Sequence, residues 1–232
     1  MQILLIGANG KMGQKVQKIA KQNNIKVVCF DKAYCQNQKN KFNDLSQIPQ
    51  KIVNQINVVL DFSSPEILES LLQFCKDNSK PLVVCSTGHS VKQKSKILNA
   101  SKHMPIFLTS NTSYGVALVN QILNFIKNKI SSFDICLIDR HHKNKKDAPS
   151  GTSKSMLEIL KNDNKNVQVA SFRAGTCVGE HEIILFGNGE QISIKHTAEN
   201  RELFALGAIN ICHFIKNKPN GFYQMEDLFD WL

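Results

Sequence analysis

Two adjacent imidazoles, His141 and His142, stand ahead of a lysine cluster and a Pro-Ser-Gly-Thr turn; residues 139–154 read D-R-H-H-K-N-K-K-D-A-P-S-G-T-S-K. A neutral imidazole can exchange a proton near pH 7, because its unperturbed pKa is about 6.5. Ser150, Gly151 and Thr152 offer two hydroxyls and backbone N–H groups to a carboxylate, and a neighbouring lysine can neutralise it. The chemistry implied is proton transfer on an anionic small molecule. The bland alternative is a basic surface loop with an ordinary helix N-cap.

The flanking residues place this cluster. Residues 133–139 (F-D-I-C-L-I-D) form a run of branched apolar side chains that predicts a strand. Residues 153–161 carry Met156, Leu157 and Leu160 at helical spacing. The polar residues therefore fall where a strand ends and a helix begins.

A second constellation opens the chain. An apolar run at residues 1–6, with no room for a targeting peptide, leads into G-A-N-G-K-M-G, with Gly7, Gly10 and Gly13, and then into a helical stretch over 14–21. Glycines there permit a tight turn and close backbone approach to a pyrophosphate seated on the helix N-terminus. A second predicted strand, 25–30, ends in Asp31, near the expected place for a ribose-binding acid. The alternative is a tight turn without ligand.

Taken together these segments resemble the dihydrodipicolinate reductases, also called 4-hydroxy-tetrahydrodipicolinate reductases. That family's signature H-H-x-x-K-x-D-A-P-S-G-T is met without a gap over residues 141–152. G-A-N-G-K-M-G is similar to its nucleotide loop, D-F-S-S-P (61–65) to its third-strand end, and S-T-G (86–88) to its G-T-T-G loop. S-N-T-S-Y-G-V (110–116) resembles its interdomain segment, and R-A-G-T-C-V-G-E-H (173–181) its R-x-G-x-x-x-G-x-H element. The resemblance implies NAD(P)H-dependent reduction of 4-hydroxy-tetrahydrodipicolinate in the diaminopimelate and lysine pathway. By the same resemblance His141 is the general acid/base, and Lys145, rather than Lys143 or Lys146, is the proton donor. His142 would contact a substrate carboxylate gripped also by Ser150, Gly151 and Thr152. Cofactor contacts are expected from Gly7, Ala8, Asn9, Gly10, Lys11, Met12, Asp31, Lys32, Cys85, Ser86, Thr87, Ser110, Asn111 and Thr112.

Cofactor choice is divided on paper. Asp31 favours NADH, whereas the resemblance sets Lys11 and Lys32 near a 2′-phosphate, so use of either NADH or NADPH is expected. Three departures from the family stand out. Asp139-Arg140 replaces a usual glutamate and small residue, Cys85-Ser86 replaces Gly-Thr, and the chain is short. Arg140 either crowds the site or faces solvent, and the Cys85 side chain stands where glycine would let backbone approach the nicotinamide.

Composition excludes several classes. No apolar run approaches the ~18 or more residues of a membrane span. The balance of 29 basic against 19 acidic residues gives +10, but the lysines are spread and interleaved with asparagine and glutamine, not gathered in a nucleic-acid stripe. Seven cysteines with no C-x-x-C pair fit a reducing, cytoplasmic setting and small core residues. No metal is expected. His181 and His196 could join the paired histidines, but neighbouring side chains on a strand point to opposite faces, and no carboxylate stands at a metal-motif spacing. A nucleotide-binding sensor that has lost turnover, or another small imino or amino acid dehydrogenase, remains as an alternative function.

The expected fold is α/β. Strands at 3–6, 25–30, 58–62, 82–85 and 106–108, the last four ending at Asp31, Ser63, Ser86 and Ser110, predict a Rossmann-type dinucleotide domain. A helix at 114–129 leads out of it. Strands at 133–139, 167–173, 181–187 and 191–196 with one helix from Gly151 predict a mixed α+β domain, which the resemblance implies serves substrate binding and oligomerisation. A helix over 201–214 is returned to the first domain by the resemblance, and 221–232 is expected to be a short helix. The boundaries expected are 1–112 plus 201–232 for the first domain and 113–200 for the second, with a homotetramer implied by the resemblance.

Overall fold

The computed structural model describes residues 1–34, 40–161, 167–229 and 231, which divide into two compact units, 1–112 with 202–232 and 113–201. The first unit opens on β1 (Gln2–Ile6), α1 (Lys11–Gln22), β2 (Lys26–Phe30) and a short β3 (Lys41–Phe42). It continues through α2 (Gln50–Gln55), β4 (Val58–Asp61), α3 (Leu68–Asp77), β5 (Leu82–Val84), α4 (Val91–Ala100) and β6 (Pro105–Leu108).

In the second unit α5 (Tyr114–Ile126) precedes β7 (Asp134–His141), α6 (Gly151–Leu160), β8 (Gln168–Arg173), β9 (Gly179–Phe186) and β10 (Gln191–Ala198). The chain then adds α7 (Glu202–Ile215) and β11 (Gly221–Tyr223) to the first unit.

The first unit's sheet is parallel, in the order β11-β6-β5-β4-β1-β2-β3. Its central strands β1, β4 and β5 are nearly continuous apolar runs because both faces are covered. Leu4, Ile6, Val28, Val59, Leu82 and Ile106 join Leu71 and Ile97 of the helices in one core. β1 lies between β2 and β4, the point where strand order reverses and a crevice opens at the carboxyl ends. The expected C-terminal helix is corrected. Residues 221–223 pair as a strand with β6, and only 225–228 form a 3₁₀ turn, while 230 and 232 of that expectation lie outside the described residues. The aromatic Phe222 and Tyr223 suit the pleated edge, where β6 still had an unpaired side.

The second unit's sheet runs β10-β9-β7-β8 and is mixed. Strand alternation sets its two faces. Ile135, Leu137, Asp139 and His141 point to the same side as Ile183 and Leu185 of β9. Val119 and Leu123 of α5 and Met156 and Leu160 of α6 cover the apolar end of that side. β7 extends two residues beyond the expected 139, so its polar end carries Asp139 and His141 on the covered face.

Candidate active site

The polar end of the second unit's sheet gathers its groups by register. Asp139 of β7 sits opposite His181 of β9, which sits opposite His196 of β10. Asp139 is fully buried, and His141 and His181 are 8% and 4% exposed. One carboxylate oxygen of Asp139 accepts from the Ser150 backbone N–H at 2.9 Å and from the Arg173 guanidinium at 2.7 Å. The other lies 3.1 Å from His141 Nδ1 and 3.6 Å from His181 Nε2.

Electrostatics follow from these partners. Burial alone would raise the Asp139 pKa, but Arg173 and the Ser150 amide hold it down at about 2, so it is a carboxylate at neutral pH. Burial lowers the His181 pKa to about 4 against the opposing pull of Asp139. Burial also lowers the His141 pKa; Asp139 opposes this, while Lys145, Arg173 and His142 add to it.

The loop after β7 separates the three lysines. Lys145 is partly buried and pairs with Asp147 at 2.8 Å, whereas Lys143 and Lys146 are exposed. Arg173 also donates to the Asp147 carbonyl at 2.6 Å, and His141 O accepts from Ala174 N. One guanidinium thus ties the lysine loop to the carboxylate facing His141. His142 leaves the sheet and accepts from Arg201 at 2.9 Å.

The Pro-Ser-Gly-Thr turn opens α6 as expected, but its serine is occupied. Ser150 is 2% exposed; its hydroxyl accepts from Ser153 N at 3.2 Å and lies 3.2 Å from His181 Nε2. With its amide on Asp139 as well, Ser150 caps the helix. At the first turn of α6 Gly151 is exposed and Thr152 partly buried.

Ligand atoms of Asp139, His141 and His181 lie within 4.8 Å of one another. Although no carboxylate stands at a metal-motif spacing in the sequence, Asp139 shares the strand face of His141 and so joins the two imidazoles in space. Its second oxygen is held by Arg173 and Ser150, and Lys145 stands close by, so the surroundings suit an anion rather than a dication.

In the first unit a cavity of about 280 Å³ is lined by Gly7, Gly10, Asp31, Lys32, Phe62, Ser63, Ser64 and Glu66, among others. Gly10 leads α1 with no side-chain cap, leaving the helix N-terminus to an anion. Gly13 packs so tightly that an added Cβ would lie 2.2 Å from Gly7 O. Asp31 accepts from Asn9 N at 2.9 Å and Ala33 N at 3.0 Å, so the acid braces the loop while lining the cavity. These features fit a dinucleotide: amides for the pyrophosphate, a carboxylate for the ribose.

The remaining cofactor candidates divide. Lys11 and Asn9 are exposed, Met12 is partly buried, and Ala8 is buried with its amide on Phe30 O. At the end of β5 the Ser86 hydroxyl is spent on Asp61 at 2.5 Å, with His89 at 3.0 Å, while Thr87 is exposed. Ser110 is exposed and Asn111 closes a turn with Thr109. Thr112 is buried and donates to Phe204 O of α7 at 2.7 Å.

A family model described as "Dihydrodipicolinate reductase, N-terminus" matches residues 1–112, and one described as "Dihydrodipicolinate reductase, C-terminus" matches residues 115–229. This chain belongs to the dihydrodipicolinate reductase family. The 4-hydroxy-tetrahydrodipicolinate reductases of Clostridium novyi and Clostridium tetani are 38% and 37% identical to it, over 97% of this chain and 97% and 96% of theirs. A dipicolinate-bound dihydrodipicolinate reductase from Paenisporosarcina sp. TG-14 shares its fold, with a TM-score of 0.82 at 18% identity over 99% of both chains.

As a member of the dihydrodipicolinate reductase family, the chain shows what its R-x-G-x-x-x-G-x-H element does locally. Arg173 clamps Asp139 and the lysine loop, and His181 reaches Ser150. At Gly179 a Cβ would stand 3.2 Å from His141 Nε2, so glycine keeps that ring nitrogen clear. Two departures from the family pattern also find their places. Arg140 points to the opposite sheet face from His141 and pairs with Glu180. Cys85 is buried rather than exposed over the loop, and its thiol pKa is raised well above the ordinary value by burial, with Cys212 and Asp61 adding to it.

Three residues escaped sequence reasoning. Asp139 was legible in principle, from its period-2 relation to His141 on one strand face. Glu66 and Arg201 carry no local signal, because only the fold brings them to Lys32 and His142. Arg201 accordingly groups with the second unit, one residue beyond the expected boundary.

Proposed function

We propose that this chain catalyses NAD(P)H-dependent reduction of 4-hydroxy-2,3,4,5-tetrahydrodipicolinate to tetrahydrodipicolinate, in the diaminopimelate and lysine pathway. The observation that carries it is the buried Asp139–His141 pair beside Lys145, at the mouth of a helix turn suited to a carboxylate. The relatives' shared name supplies the substrate.

When bound, the nicotinamide supplies the hydride. The protein's own residues bind, orient and move protons. Lys145, held by Asp147, delivers the proton to the carbon next to the one reduced. His141, neutral at pH 7, exchanges protons through the nitrogen that Gly179 keeps clear. Gly151 and Thr152 receive one substrate carboxylate, with His142 and Arg201 beside the loop as further donors. Ser150 acts as the cap that shapes this turn.

Gly7, Gly10, Asp31 and Lys32 hold the dinucleotide, with the exposed Asn9, Lys11, Thr87 and Ser110 around it. Lys32 does not stand alone: Glu66 lies 3.4 Å away across the cavity mouth, and both side chains are largely exposed. Pairs of that kind are weak, so Lys32 stays available to a 2′-phosphate at some cost. Both NADH and NADPH are expected to serve, with efficiencies within about a hundredfold, or roughly 2.7 kcal/mol. Lys32→Ala weakens NADPH more than NADH, and Glu66→Gln strengthens NADPH alone. Equal losses for both cofactors in Lys32→Ala would remove Lys32 from the 2′ position.

The uncovered face of the second sheet presents Cys136, Ile138 and Ile184 with the more exposed Phe172 and Phe186, rimmed by Arg140, Glu180 and Lys195. An apolar patch with a charged rim suits pairing with a second copy, and supports a homotetramer built on this unit. Light scattering gives the mass directly, and a monomer at micromolar concentration would reject it. Its place is the cytoplasm, with the reduced nicotinamide pool that feeds biosynthesis.

The deciding experiment condenses pyruvate with aspartate semialdehyde in situ and follows NADH or NADPH oxidation on adding the protein. No rate above background with either cofactor would overturn the assignment.

A further inference from the structure

We propose that Asp139 is a positioning residue that fixes the His141 imidazole and the anion-binding turn at 150–152 relative to one another, so that proton transfer and substrate grip depend on one carboxylate. The inference rests on the functional reading above. It adds a residue that, being fully buried, touches neither substrate nor cofactor.

The geometry divides the carboxylate between two tasks. One oxygen holds the turn, through the Ser150 amide at 2.9 Å, and takes the Arg173 guanidinium at 2.7 Å. The other faces His141 Nδ1 at 3.1 Å. Among the described residues neither of these two buried atoms makes a formed hydrogen bond, to the other or elsewhere, so at 3.1 Å each is open to the other. His181 closes a second route, lying 3.6 Å from the His-facing oxygen and 3.2 Å from the Ser150 hydroxyl. A buried carboxylate without a counter-ion is costly, and Arg173 meets that requirement while also tying down the Asp147 carbonyl.

The consequence for chemistry is a choice of tautomer. A carboxylate can only accept, so it favours the proton on Nδ1 and leaves Nε2 as the exchanging nitrogen. The charged or titratable groups facing His141 are Asp139 on its own strand, His142 and Lys145 from the loop, Arg173 from β8 and His181 from β9. Asp139 alone among them favours the imidazolium. Asparagine at this position removes the charge and can donate to Nδ1, which moves the imidazole proton to Nε2. The same kind of replacement behind a catalytic histidine inverts the tautomer in a hydrolase triad.

Three measurements test this. First, ¹⁵N spectra of the unaltered enzyme are expected to show His141 as the Nδ1–H tautomer in its neutral form; the Nε2–H form would overturn the proposal, with no variant needed. Second, Asp139→Asn is expected to lower kcat by on the order of 10²-fold. It also weakens pyridine-2,6-dicarboxylate, measured by calorimetry, by about tenfold or more, and moves the His141 titration to lower pH. Unchanged kcat and unchanged dicarboxylate affinity in a folded Asp139→Asn protein would overturn it. Third, Asp139→Glu, which keeps the charge, is expected to recover most of both losses; a glutamate variant as impaired as the asparagine one would count equally against it. The tautomer and the dicarboxylate affinity are read without turnover. Failure of the reductase assay with these two results intact would therefore sink the substrate assignment and leave the positioning role standing.

Discussion

Alanine at His141 or at Lys145 is expected to lower kcat by on the order of 10²–10⁴-fold, the usual worth of a general acid or base. The two losses have different origins. His141 is a buried imidazole whose Nδ1 faces Asp139 at 3.1 Å, so its removal takes away the group proposed to exchange protons at Nε2. Lys145 is the one lysine of its cluster that is partly buried, and Asp147 at 2.8 Å aims its ammonium. Lys143 and Lys146 are exposed, and their alanine variants should stay within about threefold of the parent, as exposed charges contribute little. Steady-state kinetics of the four variants checks the assignment. A Lys143→Ala enzyme as damaged as Lys145→Ala would move the proton donor to Lys143.

The second large effect is structural in cause and functional in readout. Gly13→Ala puts a Cβ 2.2 Å from Gly7 O and 2.7 Å from Ala8 Cα. Both are backbone atoms of the nucleotide loop, so no flexible side chain can swing aside. Overpacking of this kind costs about 1–3 kcal/mol or more even where side chains can adjust. Here the loop itself must move, and with it the amides and the Asn9–Asp31 contact that shape the cavity. The dissociation constant for NADH should rise by roughly a hundredfold, near the upper end of that range. Calorimetry of NADH binding, with a thermal melt beside it, tests this. Parent-like affinity in Gly13→Ala would mean that the loop does not cradle the cofactor.

The two sheets were legible in the chain because their strands are short apolar runs bounded by turn residues. The second sheet's alternation further separated a core side from an outer side. β3 was not, since a two-residue strand made of Lys41 and Phe42 has no pattern to read and exists only by pairing with β2. β11 was missed for a related reason. Met225, Leu228, Phe229 and Trp231 look amphipathic at helical spacing, and only the open edge of β6 decides that 221–223 form a strand.

Within the candidate site, sequence by itself nominated the groups proposed to do chemistry. The order His-His, Lys, Pro-Ser-Gly-Thr marked the helix turn, because strand, loop and helix N-terminus are local and their spacing is covalent. The family resemblance carried by that order proposed the proton donors. Sequence also determined the nucleotide loop, whose glycines answer a local crowding with α1. Tertiary structure alone decided what those groups are bound to. It made Ser150 a cap, with its amide on Asp139 and its hydroxyl beside His181. It turned Arg140 away from the site by strand alternation, paired Lys32 with Glu66, and brought Arg173 and His181 from separate strands onto one carboxylate. Contacts of this second kind depend on register between strands distant in sequence, and register is set by the packing of the whole sheet against its helices rather than by any residue's neighbours along the chain.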